Sequence, residues 1–235
     1  MTLSWYDPSQ KMDHMYRHMR HVYDATRKYY LLGRDTLLDR IAQHPSDRIL
    51  EVGCGTARNL IGLSTKLPHA QLFGLDASTE MLKTAVKSVR RAKQTRRIVL
   101  RHGLAEHLDH FHTFGLTEPF DTIFFSYTLS MIPTWPQALE VALKNLKPNG
   151  RLYIVDFWDQ ADLPKWFTKF LTHWLENFDV IYRPELLDHL NKLAQRQEID
   201  LNITSFGHRY AFIVDATKLV TSKTHQTLER PISSI

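Results

Sequence analysis

Apolar and polar positions recur along this chain with two different periods, and the switches between them outline its elements. Short apolar runs of strand length occur at Arg48–Val52, Gln71–Leu75, Ile98–Leu100, Phe120–Ser126 and Arg151–Asp156. Between them, apolar residues at three- and four-residue spacing predict helices over 57–66, 77–91 and 137–146. Ser78 is placed to cap the second of these, with Glu80 in its first turn. Lys147-Pro148-Asn149-Gly150 reads as a turn closing the third. Alternating β and α segments at this spacing predict an α/β fold, a doubly wound parallel sheet with helices on both faces.

The two ends of the chain read differently. Met12, Met15, Tyr16, Met19 and Val22 share a helical face, predicting a helix over Met12–Tyr23. A second helix is expected over Arg27–Ile41, capped by Asp24 or Thr26. Residues 1–46 are therefore expected to form a helical lid over one sheet edge, and residues 47–220 the main domain. After it come an aromatic helix over Leu163–Phe178, another over Pro184–Leu193, and a hairpin of Ile199–Phe206 with Arg209–Val214 around Gly207-His208. The tail, 221–235, is polar, contains Pro231 and is expected to be disordered. The aromatic helix has two readings. Trp166, Phe170 and Trp174 pack into the core, or they dock at headgroup depth with Lys165 and Lys169 meeting anionic lipid.

Composition narrows the class. The chain has 235 residues, 43% hydrophobic and 23% charged, which fits one globular domain. Its net charge of +5 permits an anionic partner without requiring one. A single cysteine, Cys54, excludes an intrachain disulfide and fits a reducing compartment. No signal-peptide pattern and no long apolar run are present, so a cytoplasmic protein, peripheral on the inner membrane face, is expected. No recognised nucleic-acid motif accompanies the charge, and no nucleic acid is expected as partner. Of the thirteen histidines, His14, His18 and His21 share a helical face but lack a carboxylate partner, and no metal is expected. His102, His107, His110 and His112 read as loop composition.

The chemistry is carried by Glu51-Val52-Gly53-Cys54-Gly55-Thr56-Ala57, where a strand runs into a glycine turn and then a helix. Gly53 and Gly55 let the backbone turn sharply and approach a ligand, and Asp76, at the end of the next strand, is placed for ribose hydroxyls. A dinucleotide needs a third glycine so that its pyrophosphate can sit on the helix N-terminus, and Arg58 stands there instead. Glu51, an acid just before the glycines, suits a cationic group. Cys54 reads as a small packing residue.

This stretch resembles motif I of the class I S-adenosyl-L-methionine (SAM)-dependent methyltransferases, with the likeness running from about Arg48 to Asp156. The resemblance implies a Rossmann-like, mostly parallel seven-stranded sheet whose last strand is antiparallel. It implies SAM contacts at Glu51, Gly53, Gly55, Asp76, Ala77, Leu104, Ala105 and Ser126. Leu104 stands where the family carries an acid near adenine, so Ala105 backbone and apolar packing are expected there, with Glu106 solvated. After the fourth strand, Ser126-Tyr127 occupies the family's loop beside the methyl group, while Met131 and Ile132 are expected in the core. That loop lacks the pattern of enzymes that methylate nucleic-acid bases.

A narrower likeness lies in Tyr23-Asp24-Ala25-Thr26-Arg27 followed by Tyr29-Tyr30 and Gly33-Arg34, which resembles the bacterial betaine-lipid methyltransferases. It implies successive methylation of the amine of diacylglyceryl-homoserine, to the trimethyl form, at a membrane surface. An upstream lipid head-group enzyme would be a partner. Arg27 or Arg34 would pair with the acceptor carboxylate, and Tyr23, Tyr29 and Tyr127 would face the methylated cation. His18, His21 and Asp156 are candidates for receiving the proton, and none is ranked as catalytic. The competing readings are another acceptor (phosphatidylethanolamine, a quinone precursor or a small soluble amine) and a SAM-binding partner subunit without catalysis.

Overall fold

Strand β1 (Arg48–Val52) is the centre of the molecule because its apolar residues are buried on both faces. Ile49 packs into one side chain layer and Leu50 and Val52 into the other, as the alternation of a strand requires. The computed structural model describes residues 31–44, 46–164 and 182–220. In chain order these form α1 (Arg34–Ala42), β1, α2 (Arg58–Lys66), β2 (Gln71–Asp76), α3 (Thr79–Arg91), β3 (Ile98–His102), a short 3-10 turn, α4 (His110–Phe114) and β4 (Phe120–Ser126). Then come α5 (Trp135–Lys144), β5 (Leu146–Phe157), α6 (Pro184–Gln195), β6 (Ile199–Phe206) and β7 (Ala211–Lys218).

The seven strands form one sheet in the order β3-β2-β1-β4-β5-β7-β6. The first five are parallel, and β7 runs antiparallel to both β5 and β6. This is the expected Rossmann-like methyltransferase sheet with its antiparallel end. From β1 the chain winds outward to β2 and β3, then crosses back to β4 on the other side. The carboxyl ends of β1 and β4 therefore diverge into a crevice, the usual ligand position in such sheets.

Two apolar layers hold the sheet. On one face, Leu37, Ile41, Leu60, Leu63 and Ala85 from α1, α2 and α3 pack against Ile49 and Phe124. On the other, Ala138, Leu139, Leu186 and Leu190 from α5 and α6 pack against Ile123 and Phe125. Each fully buried large side chain stabilises by roughly 1.5–3 kcal/mol. The expected cap is present, since Ser78 Oγ accepts from the Met81 N–H at 3.2 Å.

The structure departs from the sequence expectations where a turn signal falls inside an element. The helix expected to run through Gly33 begins at Arg34 instead, because Gly33 sits at φ +79 and breaks the helical path. The expected turn at 147–150 lies within β5. Phe120 pairs with Leu146, the next pair is Thr122 with Arg151, and the intervening residues loop out with Asn149 at φ +59. Leu146 therefore belongs to β5 rather than to α5. The third strand reaches His102, and the last strand starts at Ala211 and continues to Lys218. None of the four histidines read as loop composition is a loop residue: His102 ends β3, His107 closes the 3-10 turn, and His110 and His112 lie in α4. The helix expected over Met12–Tyr23, the body of the aromatic helix after Pro164 and the tail from 221 lie outside the described residues.

A side chain at Gly150 would lie 2.8 Å from the Lys147 carbonyl oxygen and 3.0 Å from that of Asp121. Backbone cannot yield as a flexible side chain can. Gly150→Ala is expected to destabilise the fold by about 1–3 kcal/mol, read as a lower urea midpoint, and an unchanged midpoint would contradict this account of β5.

Candidate functional site

The turn after β1 is built from left-handed backbone: Gly53 at φ +73, Gly55 at +52 and Ala57 at +63. The N–H groups of Gly53 and Cys54 both donate to the Leu75 carbonyl, at 2.8 and 3.0 Å, which lashes the turn to β2. Gly53 is required twice over, by its φ and because a Cβ there would lie 2.3 Å from Thr128 Cγ2 on the loop after β4. The Gly55 N–H donates to Asp76 Oδ2 at 2.6 Å, and Asp76 Oδ1 accepts from the Ser78 N–H at 2.9 Å. Each carboxylate oxygen can accept more than one hydrogen bond, so Asp76 shapes the turn and retains capacity for a ligand's hydroxyls.

Two cavities share Gly53 and Gly55 as a common wall. The first is an apolar cleft of about 950 Å³, including its open mouth, with Leu75, Met81, Leu104, Ala105 and Ile132 on its walls. Asp76 and Ala77 border it. Met131 and Ile132, expected in the core, line this cleft and are only partly buried. The cause is Tyr127, whose φ of +55 turns the chain over the sheet's edge directly after β4. Glu106 is not simply solvated either. It stands at the rim, where its Oε1 accepts from Thr134 Oγ1 at 3.0 Å.

The second cavity, about 670 Å³, is polar and is lined by Arg34, Glu51, Arg58, Asn59 and Ser126 with Leu31. Glu51 is 1% exposed and accepts from Asn59 Nδ2 at 2.7 Å. Asn59 Oδ1 and Ser126 Oγ are buried with no hydrogen-bond partner among the described residues, a state that calls for a polar ligand. Arg58 reaches away to Asp35 at 3.3 Å, and Arg34 Nε donates to the Leu31 carbonyl. An apolar slot beside an acid, joined to a polar chamber with a buried carboxylate, matches a nucleoside linked to a zwitterionic amino acid. A pyrophosphate fits badly, because it would face the Glu51 carboxylate in a low-dielectric chamber.

The described residues expected to contact SAM or the acceptor all border one of these cavities, Tyr127 and Arg34 included, whereas the proton-acceptor candidate Asp156 does not. Tyr23, Arg27, Tyr29, His14, His18 and His21 lie outside the described residues. Asn59, Thr128 and Met81 were not signalled by any motif. Asn59 could have been found, since it opens the helix that follows the glycine turn and so points back at the end of β1. Among the described residues no cluster of metal-ligating side chains occurs.

Burial shifts three titratable groups near the site, and two of them stay protonated at neutral pH. Burial, with Asp76 and Glu51 nearby, pushes the Cys54 thiol well up, so it stays protonated and is no nucleophile. Burial likewise raises the Tyr127 phenol, whose hydroxyl donates to the Leu32 carbonyl at 2.5 Å while its ring packs on Phe157. Asp156 borders neither cavity. Its carboxylate accepts from the N–H groups of Ser130 at 3.0 Å and Phe157 at 2.9 Å, bracing the loop after β4. Burial pushes its pKa up to about 6.

Comparison with known proteins bears on the family and the fold. A family model described as a methyltransferase domain matches residues 43–199. A demethylmenaquinone methyltransferase of Lactobacillus johnsonii is 25% identical over 162 residues, covering 66% of this chain and 64% of the relative. One from Lactiplantibacillus plantarum is 32% identical over 148 residues, covering 60% of each. The chain thus spans under two thirds of the length of these curated relatives. Among solved structures, the plantazolicin methyltransferase BpumL, determined in complex with SAH, superposes with a TM-score of 0.65 at 15% identity. That match covers 90% of this chain and 97% of the other and shows the fold. The relatives named are quinone enzymes, so the betaine-lipid likeness receives no support from them.

Because the folded pKa of Asp156 lies above the unfolded carboxylate value, protonation favours the fold. The stabilising contribution is complete below about pH 4 and is lost as pH rises through about 6. The stability advantage of the wild type over Asp156→Asn is therefore expected to shrink by about 2–3 kcal/mol between about pH 4 and about pH 8. Urea unfolding of both proteins at both pH values measures this, and an advantage that stays level or grows would refute it.

Proposed function

This chain belongs to the methyltransferase-domain family, and from that membership we propose that it transfers methyl groups from SAM to a membrane-lipid acceptor. The observation that carries the SAM reading is the pair of cavities meeting at Gly53 and Gly55, one with Asp76 and one with Glu51. Asp76 accepts from the ribose hydroxyls, Leu104, Met81 and Ile132 enclose the adenine, and Glu51 faces the α-ammonium. When bound, SAM supplies an electrophilic sulfonium methyl. The residues of this chain contribute position: they hold the methyl at the common wall and keep water out of the apolar cleft. Orientation of two bound reactants is the main source of rate in such a transfer.

For an amine acceptor, the chain would hold the nitrogen in line with the methyl of bound SAM, whose sulfonium would supply the methyl group and take back the bonding electron pair. A proton must leave the amine in each early transfer. Asp156 borders neither cavity and Tyr127 is held as a protonated phenol, so neither receives it. His18 and His21 remain the candidates raised by the sequence.

Two acceptors have support. The head-group amine of diacylglyceryl-homoserine is supported by the Tyr23–Arg34 pattern and by Arg34 lying at the polar chamber, where its guanidinium suits a carboxylate. A demethylated menaquinone is supported by the names of the curated relatives. Either acceptor is dissolved in a bilayer. Among the described residues no helix is long and apolar enough to cross one, so work from the membrane surface is part of the proposal, as is delivery by an upstream enzyme.

The test is a SAM-dependent assay in mixed micelles offering both acceptors, with products weighed. Successive methyl gains on diacylglyceryl-homoserine support the first acceptor, and a single gain on the quinone supports the second. SAM binding without gain on any lipid would overturn the lipid reading and leave soluble acceptors or a non-catalytic role. A second prediction isolates Glu51. Glu51→Gln keeps an acceptor for Asn59 but removes the charge, so SAM affinity is expected to fall about tenfold or more by calorimetry. Methylthioadenosine, which lacks the ammonium, should bind both proteins alike. Equal losses for both ligands would mean that Glu51 acts only through the fold.

A further inference from the structure

The positive charge of this chain is concentrated in one place outside the site. Residues 79–101 contain eight Lys and Arg against a single acid, Glu80, a net of seven positive charges. The whole chain is +5, so everything outside this segment sums to −2. The segment is α3, the turn after it and the edge strand β3.

The fold uses two of these cations. Lys83 pairs with Glu80 at 2.6 Å. Arg97 donates to the carbonyls of Ser64, Leu67 and Ala70 and closes the end of α2. The other six, Lys87, Arg90, Arg91, Lys93, Arg96 and Arg101, are exposed and make no ion pair among the described residues. They do not arise from core packing, because α3 meets the core through Met81, Ala85 and Val89 on its opposite face. Charge on an edge strand blocks unwanted strand pairing, but that needs only Arg101, and the other five lie on the helix and turn.

We propose that this cationic edge is the surface on which the protein rests against an anionic lipid bilayer. The reason for a bilayer rests on the lipid-acceptor reading above, while the charge placement does not. Within residues 79–101 the exposed large apolar residue is Val86, and the segment has no Phe, Tyr or Trp for bases to stack on, which disfavours single-stranded nucleic acid. A flat anionic leaflet needs neither a groove nor a specific reader, only several cations within a Debye length of its surface. The location also suits a lipid enzyme. Met81 of α3 and Gly103 and Leu104, just after β3, line the apolar cleft, so the elements that would touch the bilayer also carry the cofactor wall.

The experiment is flotation of the full chain with vesicles of phosphatidylcholine alone or mixed with phosphatidylglycerol. Binding is expected only to the anionic vesicles and should weaken steeply with salt. Lys87→Glu/Arg91→Glu is expected to reduce anionic-vesicle partitioning at least about tenfold. Lys192→Glu/Arg196→Glu, the same charge change at the same spacing in the last turn and C-cap of α6, should leave partitioning within about threefold. Both variants should keep the thermal midpoint and methyl transfer to a detergent-dissolved acceptor. Binding to neutral vesicles as strong as to anionic ones, or equal losses in the two variants, would overturn the proposal. So would displacement from vesicles by DNA at a lower phosphate concentration than the lipid presents, which would make nucleic acid the partner. Charge-dependent flotation with no methyl gain on any lipid would instead leave the surface standing and remove the lipid acceptor.

Discussion

One short hydrogen bond organises the functional end of this molecule: the Gly55 N–H to Asp76 Oδ2, at 2.6 Å. It joins the turn after β1 to the end of β2, and the Leu75 carbonyl reinforces the joint by accepting from Gly53 and Cys54. With the turn fixed, Gly53 is pressed against Thr128, and the loop after β4 takes its place over the crevice. Asp156 then pins that loop from β5. Two strands, two loops and a fifth-strand carboxylate thus form one connected frame. Burying that many polar groups is tolerable only because each one named in this frame is hydrogen-bonded.

Much of this was legible beforehand, for identifiable reasons. The strands at Arg48–Val52 and Phe120–Ser126 were placed correctly because burial on both faces leaves an unmistakable apolar run. Glu51, the glycines and Asp76 declare themselves because special backbone and an acid at fixed spacing have few other uses. Met131 and Ile132 were misplaced because apolarity does not distinguish a core wall from a ligand-cleft wall, and only the left-handed Tyr127 decides between them. Glu106 was misread because its partner, Thr134, is distant in sequence. The Pro148-Asn149-Gly150 turn was read locally, whereas strand pairing on both sides absorbs it into β5. The N-terminal stretch carries most of the acceptor expectations, and residues 1–30 lie outside the described residues.

Fold and acceptor are separable in this protein. The fold is shared with a solved methyltransferase structure of low sequence identity. On the proposed reading, the acceptor is met by the segment bordering the polar chamber, where Arg34 and Leu31 stand at the start of the described chain. Tyr127 ties that segment to the sheet through the Leu32 carbonyl. A family can therefore exchange acceptors by changing the covering segment while the sheet stays as it is.

The placement of the two acids has a further consequence for turnover. Asp76 and Glu51 grip, on the proposed reading, the ribose and the ammonium, and neither group changes when the methyl departs. Contacts equal before and after the chemistry contribute to holding the molecule and nothing to releasing it. The demethylated product keeps both handles and loses only the sulfonium charge. On that reading spent cofactor would occupy the crevice about as firmly as fresh, and turnover would follow the ratio of the two rather than the supply of either.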